Sequence, residues 1–418
     1  MLNANTRSHI RDLARRYVEI CGSDRNLAAR RMWRDHNSLR PTRPPVICSW
    51  YWASGLRSEI EAQLPAQLAE DPPYRGLENW LLMRLWGSDI PDDTVYYPWY
   101  TMRAEMRKPR VGMWGFERSR AVDKASRGWR NLPVVREIAD LDRLEATPHE
   151  CLDADTPDIR AVRDLIGDIL PVHVNRSTVY PVWGGTDLSE VAGTLFGLEE
   201  LMYLLYENPE LVHRLMAFAS EAVCANLDQG EAAGDWSSVE SCNYGMPPDT
   251  DGLAEPRPNS HGTKLRKLWF FTHAQEFEAV SPAQHEQFLL QYQMPIMKRF
   301  GLVNYGCCET LDNKIDMLRK IPNLRRILLG PRSNLALGCE RIGADYVVSW
   351  RPCPAIVATG FDADDIRRTI REGFAAAAAN GCRIEIMLKE MMTVQGDLSR
   401  LFRWSEIAMD ESRKAHGR

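Results

Sequence analysis

The feature that most constrains the fold is an alternation in the last 120 or so residues, where short apolar runs are separated by stretches with helical spacing. Leu302 to Cys308, Leu324 to Leu329, Ala344 to Ser349 and Arg383 to Leu388 read as strands. Between them, Leu311 to Ile321 places Ile315, Leu318 and Ile321 on one helical face, and Leu335 to Ile342 has the same character. Asp362 to Ala379 carries Ile366, Ile370 and Phe374 four apart, with Asp362 as an N-cap and Gly381 as a closing residue. Strands joined through helices are parallel neighbours, since tight turns join only antiparallel ones. Helices then cover both faces of the sheet, so the strands need not alternate apolar with polar. An open dinucleotide-binding sheet would share this pattern, but no GxGxxG follows any of the strands. The expected fold is therefore α/β, a (β/α)8 TIM barrel whose active site lies at the C-terminal strand ends.

The rest of the chain divides into an N-terminal helical extension, residues 1–90, and the barrel, 91–418. Ile10, Leu13, Tyr17 and Ile20 share one helical face, and the proline-rich segment Arg40 to Val46 ends that arm. From Val46 to Asp93 the pattern is mixed, with interruptions at Pro72-Pro73 and Pro91, and residues 94–180 give no clear pattern. Thr194 to Tyr206 reads as a helix. Asn208-Pro209-Glu210 then starts a second one, with a cap, a proline in the first turn and an acid at the positive helix end.

Composition narrows the function classes. A net charge of -5 gives no broad basic field for nucleic acid, and the nine arginines against four acids in residues 1–40 read as a solvated helix face or a subunit contact. The start lacks the apolar core of a secretion signal, and no apolar run spans a membrane, so a cytoplasmic location is expected. Ten scattered cysteines read there as reduced thiols.

The strand ends supply the chemistry. Tyr305-Gly306-Cys307-Cys308-Glu309 follows the first legible strand, Gly330-Pro331-Arg332 the second, Trp350-Arg351-Pro352 the third and Lys389-Glu390 the fourth. Adjacent cysteines on a strand point to opposite sides, so both face one centre only if the strand has already turned. Thiolates with carboxylates from separate strands can hold zinc, and Cys307, Cys308 and Glu390 are the expected ligands. Glu309, His273 (in WFFTHAQEF) and Lys389 are the candidate catalytic groups, His273 as a base or ligand. Arg332 and Arg351 can each clamp a carboxylate or phosphate, or pair with a neighbouring acid. Tyr305 and Trp350 lie at the same rim. The polar, turn-rich segment Trp236 to Thr250 suits a loop over a barrel mouth, with Glu240, Asn243 and Tyr244 as its substrate candidates.

Several of these stretches resemble the uroporphyrinogen decarboxylase superfamily, especially its relatives allied to cobalamin-dependent methyltransferases. They are Ala274 to Tyr292, the YGCCE strand end, Lys314 to Ile327, Asp345 to Ala355, the helix pair Gly197 to Met216, and RPPVICSW and DDTVYYPW upstream. The resemblance implies a (β/α)8 barrel and a homodimer. The decarboxylases of the superfamily use no cofactor and carry an arginine-rich N-terminal motif, which RPPVICSW does not match. The methyltransferases hold zinc with a His-x-Cys pair and a later Cys. Here Tyr305 stands in the place of that His and Glu390 near that Cys, so the implied ligand set is altered.

These readings lead to a zinc-dependent methyltransferase or demethylase that passes a methyl group to or from a separate corrinoid protein. The alternative is a metal-free decarboxylase or lyase acting on a carboxylated substrate held by Arg332 and Arg351. A barrel that only binds a ligand or partner would show no converging ionisable groups at its mouth.

Overall fold

The computed structural model describes residues 2–51, 54–122, 128–178, 180 and 187–416. Eight strands organise the chain: β1 (Val46–Cys48), β2 (Tyr100–Arg103), β3 (Val172–Asn175), β4 (Trp269–Thr272), β5 (Leu302–Tyr305), β6 (Leu324–Leu329), β7 (Val347–Trp350) and β8 (Arg383–Leu388). Six of them form one parallel sheet in the order β1-β8-β7-β6-β5-β4, and β2 with β3 makes a separate parallel pair. Two short antiparallel pairs complete the strands, Glu105–Met106 with Cys151–Asp153 and Arg120–Val122 with Trp129–Asn131. The result is a half-barrel. Single backbone bonds extend it at both edges, from Asp93 N to the Val46 carbonyl (2.8 Å) and from Cys242 N to the Trp269 carbonyl (3.2 Å).

The four strands legible in the sequence, β5 to β8, are consecutive and parallel, so their C-terminal ends lie side by side. The connections follow from local chemistry. Asp362 accepts from the amides of Asp364 and Asp365 to start the helix Ala363–Ala379, whose Ile366, Ile370 and Phe374 are buried. Asn208 caps Pro209–Ala233 through Leu211 N. The helix before it is two helices, Leu188–Leu195 and Leu198–Glu207, because Gly197 between them adopts φ +74°. Pro72-Pro73 starts the helix Pro72–Ser88 where interruption was expected, since proline in the first turn gives up amides that have no helical partner anyway.

At the N-terminus, α1 (Ala4–Gly22) and α2 (Asp24–Asn37) meet at Ser23, whose hydroxyl accepts from Asn26 N. Ile10, Leu13 and Tyr17 are buried in a core shared with Pro72–Ser88 and with Pro157–Ile166. The end of α2 reaches the sheet interior, where the Asn37 carboxamide accepts from Arg326 at 2.6 Å and His36 Nε2 lies 3.2 Å from Glu385. One sheet strand, β1, comes from inside the first ninety residues, so a strand of the large sheet interrupts the helical extension. Among the described residues, no helix is long and apolar enough to cross a membrane.

Candidate functional site

The site begins with one glycine. Gly306, just past β5, has φ +108°, and a Cβ there would meet Leu311 at 2.6 Å and Leu328 at 3.1 Å. The chain therefore turns immediately after the strand, and the two following thiols do not diverge. Cys307 Sγ and Cys308 Sγ lie 3.4 Å apart. Cys308 Sγ is 2.8 Å from a Glu390 carboxylate oxygen, and the ligand atoms of Cys307, Cys308 and Glu390 all fall within 4.8 Å of one another.

Around this cluster, Lys389 Nζ lies 3.6 Å from Cys307 Sγ and 3.5 Å from Cys308 Sγ, and it also touches the Tyr244 hydroxyl and the Glu390 carboxylate. The Tyr244 hydroxyl is 2.7 Å from Cys307 Sγ, and its ring stacks on Phe271 with centroids 4.2 Å apart. Tyr244 (φ +52°) and Glu390 (φ +62°) both occupy the left-handed region, which costs a non-glycine residue about 1 kcal/mol or more and concentrates at working sites.

The electrostatics favour one thiolate. A hydrogen bond from Cys308 is the largest influence holding the Cys307 thiol below its ordinary range. Burial opposes it, while the Lys389 and His273 charges assist it. Cys308 is pushed up correspondingly by its bond to Cys307 and by burial. Burial pushes Glu390 up, but the Lys389 ammonium and the bond from Cys308 bring it below the usual carboxylate range. His273 is buried, which disfavours its charge, yet Asp187, Glu309, Cys307 and Glu276 hold its pKa up to about 9. Its Nδ1 lies 3.7 Å from Asp187, whose other oxygen accepts from Thr272 Oγ1 and His273 N. Arg351 is fully buried. It donates to the Trp350 carbonyl (3.3 Å) and approaches the Met246 sulfur (3.2 Å), its Nε finds no partner, and it pairs with no carboxylate among the described residues.

The structure thus brings Cys307, Cys308, Glu390, Lys389 and Tyr244 into direct contact, with His273 and Arg351 behind them. Other expected residues lie elsewhere. Glu309 does not face the thiols, because its two oxygens accept from Ala274 N (2.7 Å) and Cys307 N (2.9 Å) and so pin the turn after β5 to that after β4. Tyr305 faces the helix layer, with its hydroxyl 2.7 Å from both Gln293 and His285. Trp350 also points outward, onto Phe374. Alternation explains both: Asn304 and Ser349, each one residue earlier, take the inward positions. Arg332 is exposed and pairs with Glu278 on the surface. Asn243 is buried under Arg326 and Asn304, and Glu240 is bonded to His173 (2.6 Å) and Ser237 N (2.8 Å).

Asp187 and Met246 were not singled out in the sequence. Asp187 was visible only as a helix cap before Leu188, and Met246 carried no signal beyond its place in the loop.

The donor set passes a simple test for zinc. A tetrahedral ion with Zn–S near 2.3 Å holds two sulfurs about 3.7 Å apart and takes carboxylate at about 2.0–2.2 Å, so small shifts of these three side chains accommodate it. Lys389, facing both sulfurs, is the cation such an ion would compete with.

No protein-family profile matches the chain, and no curated protein matches its sequence. Among solved structures, a methyltransferase from Methanosarcina mazei superposes with a TM-score of 0.52, covering 92% of this chain and 98% of that one at 12% identity. At that identity the likeness is one of fold: this chain shares, over nearly its whole length, the architecture of that methyltransferase.

Proposed function

We propose that this chain is a methyl-transfer enzyme, a zinc-dependent methyltransferase or demethylase that passes a methyl group to or from a separate corrinoid protein. The observation that carries this reading is the convergence of two thiols and a carboxylate, from the ends of β5 and β8, within 4.8 Å of one another. The shared fold with a methyltransferase supports the same reaction class, and the completed (β/α)8 ring belongs to the same proposal.

Three donors from the chain leave one position for an exogenous group, the pattern of catalytic rather than structural zinc. Bound there, zinc supplies a Lewis acid for the heteroatom that carries the methyl group, or keeps a thiol ionised. The chain's own residues do the rest. The Cys307 thiol is held below its ordinary range, and Lys389, Arg351 and His273 surround it with positive charge in a buried setting where such charge acts strongly. Glu309 fixes the backbone of Cys307. Tyr244 covers the sulfur, so the loop that carries it controls access to the thiolate.

Protein purified without chelator should hold close to one equivalent of zinc, and C307S/C308S should lose it. Less than about a tenth of an equivalent in the wild type would remove the reading. Transfer from candidate donors can be followed as methylation of free cob(I)alamin.

A second reading has one observation in its favour. Buried Arg351, paired with no carboxylate among the described residues, could receive one from a substrate, as a metal-free decarboxylase or lyase requires. Its intended partner Arg332 is instead engaged by Glu278 at the surface. Under this reading R351A abolishes turnover and C307A does not; under the first, C307A abolishes it.

A further inference from the structure

A cleft of about 390 Å³ borders the loop that covers the thiols, with Gly245 and Met246 in its wall directly after Tyr244. A second chamber of about 570 Å³ adjoins it, and the two share Tyr51, Arg84, Val95 and Tyr97. Seven of the fourteen residues around the second chamber are aromatic, whereas aromatics make up 9% of the chain. Edge and stacked contacts tie them into one wall: Trp80 with Tyr100 at 5.1 Å and Tyr97 with Trp99 at 4.9 Å.

The charge on this wall is unbalanced. Arg84 lines both chambers, with its guanidinium over the rings of Tyr51 (5.5 Å) and Trp80 (5.7 Å). Arg103 lines the first and donates only to neutral oxygens, on Asn175 (3.2 Å), Ser177 (2.9 Å) and Thr178 (2.8 Å). Among the described residues, neither forms an ion pair with a carboxylate. Glu240, the acid lining the first chamber, already has both oxygens occupied by His173 and Ser237 N. Other arginines of the N-terminal arm are neutralised, Arg30 by Asp249 and Arg43 by Asp93. Arg84, with no carboxylate partner among the described residues, and Arg103, whose terminal nitrogens are held by neutral oxygens that leave its charge in place, lie beside rings that offer flat faces and together present positive charge to a planar anion.

We propose that this double cleft binds an aromatic acid, with its carboxylate at Arg84 and Arg103 and its ring against Tyr51 and Tyr97. Such an acid is the substrate class of the methyl-transfer site, and only the word substrate rests on that reading. The binding stands on the cleft alone.

Calorimetric titration of the full chain with benzoate and 1-naphthoate, against their neutral isosteres benzamide and 1-naphthamide, tests it. Each acid should bind about tenfold tighter than its amide. R84Q and R103Q should each weaken the acids about tenfold and leave the amides unchanged. Cyclohexanecarboxylate should bind several-fold more weakly than benzoate. Equal affinity for acid and amide, no saturable binding of either acid, or unchanged acid affinity in a cooperatively melting R84Q or R103Q protein would each overturn the proposal. Equal affinity for cyclohexanecarboxylate and benzoate would overturn its aromatic half. C307S/C308S should bind benzoate as the wild type does. In the wild type, acid binding without zinc or methyl transfer would remove the methyl-transfer reading alone, and methyl transfer without acid selectivity would remove this proposal alone.

Discussion

Two layers of charged side chains lie inside the same half-barrel, and they are built on opposite rules. In the middle, Arg326 of β6 donates to Glu385 of β8 at 2.8 Å and to Asn37 at 2.6 Å, and it also reaches Asn243. Ser349 of β7 and His36 complete the shell of Glu385. Apart from Asn243 in its loop, these residues sit on regular strands or at a helix end. At the rim, one turn of chain further on, Cys307, Cys308, Lys389, Glu390 and Arg351 crowd together without complete pairing, and Tyr244 and Glu390 sit on left-handed backbone. Paired charge in the middle holds the sheet and the N-terminal arm together. At the rim Lys389 pairs with Glu390, while buried Arg351 has no carboxylate among the described residues and is left available.

The largest expected effect breaks the middle layer. E385A strands Arg326 without its carboxylate and should cost about 3–5 kcal/mol, read as a fall in urea midpoint, whereas C307A at the rim should stay within about 1 kcal/mol of wild type. Similar losses for the two would erase the distinction. Burial pushes Glu385 up, but Arg326, His36 and Arg351 bring it down to about 2. Its stabilisation is therefore present above its unfolded value near 4.3 and is lost as pH falls toward 2.

The rim has the opposite sign. His273, held up to about 9, stabilises fully below its unfolded value near 6.5 and loses that contribution as pH rises through 9. The stability advantage of wild type over H273N, from denaturant melts, should shrink by about 1–3 kcal/mol between pH 6 and pH 9.5. A constant advantage would mean that His273 is neutral in the fold.

Much of this contrast was hidden in the sequence, for identifiable reasons. The alternation from Leu302 to Leu388 made β5 to β8 legible because buried parallel strands need continuous apolar runs. It also made their ends legible, since the strand boundary marks the rim. Arg326 and Glu385 lie inside those same runs, in LRRILL and RIEIML, and a charge in the middle of a buried strand was the available signal of the inner layer. Adjacent cysteines share one centre only if the strand has already turned, and Gly306, packed against Leu311 and Leu328, supplies that turn in a way the sequence alone did not settle. Tyr305 and Trp350 sit at the right height on the wrong face, because period-two alternation fixes a face only once the inward residue is known. Arg84 comes from the stretch of mixed pattern and Arg103 from the one with no clear pattern, and only the folded cleft puts both in one wall.

Smaller effects refine the rim. Y244F removes the hydroxyl from Cys307 and should change the iodoacetamide alkylation rate of metal-free protein about threefold to tenfold, with a stability change near 1 kcal/mol. An unchanged rate would take Tyr244 out of the site. The smallest effect is R332A, which breaks an exposed pair with Glu278 and should shift stability by less than about 1 kcal/mol and leave turnover intact. Loss of turnover would return Arg332 to the substrate.

Zinc K-edge absorption on the purified wild-type protein tests the central claim most directly. The account predicts two sulfur scatterers near 2.3 Å with oxygen near 2.0–2.2 Å, reduced to one sulfur in C308S. A first shell of nitrogen and oxygen alone, or a spectrum unaltered by C308S, would contradict it.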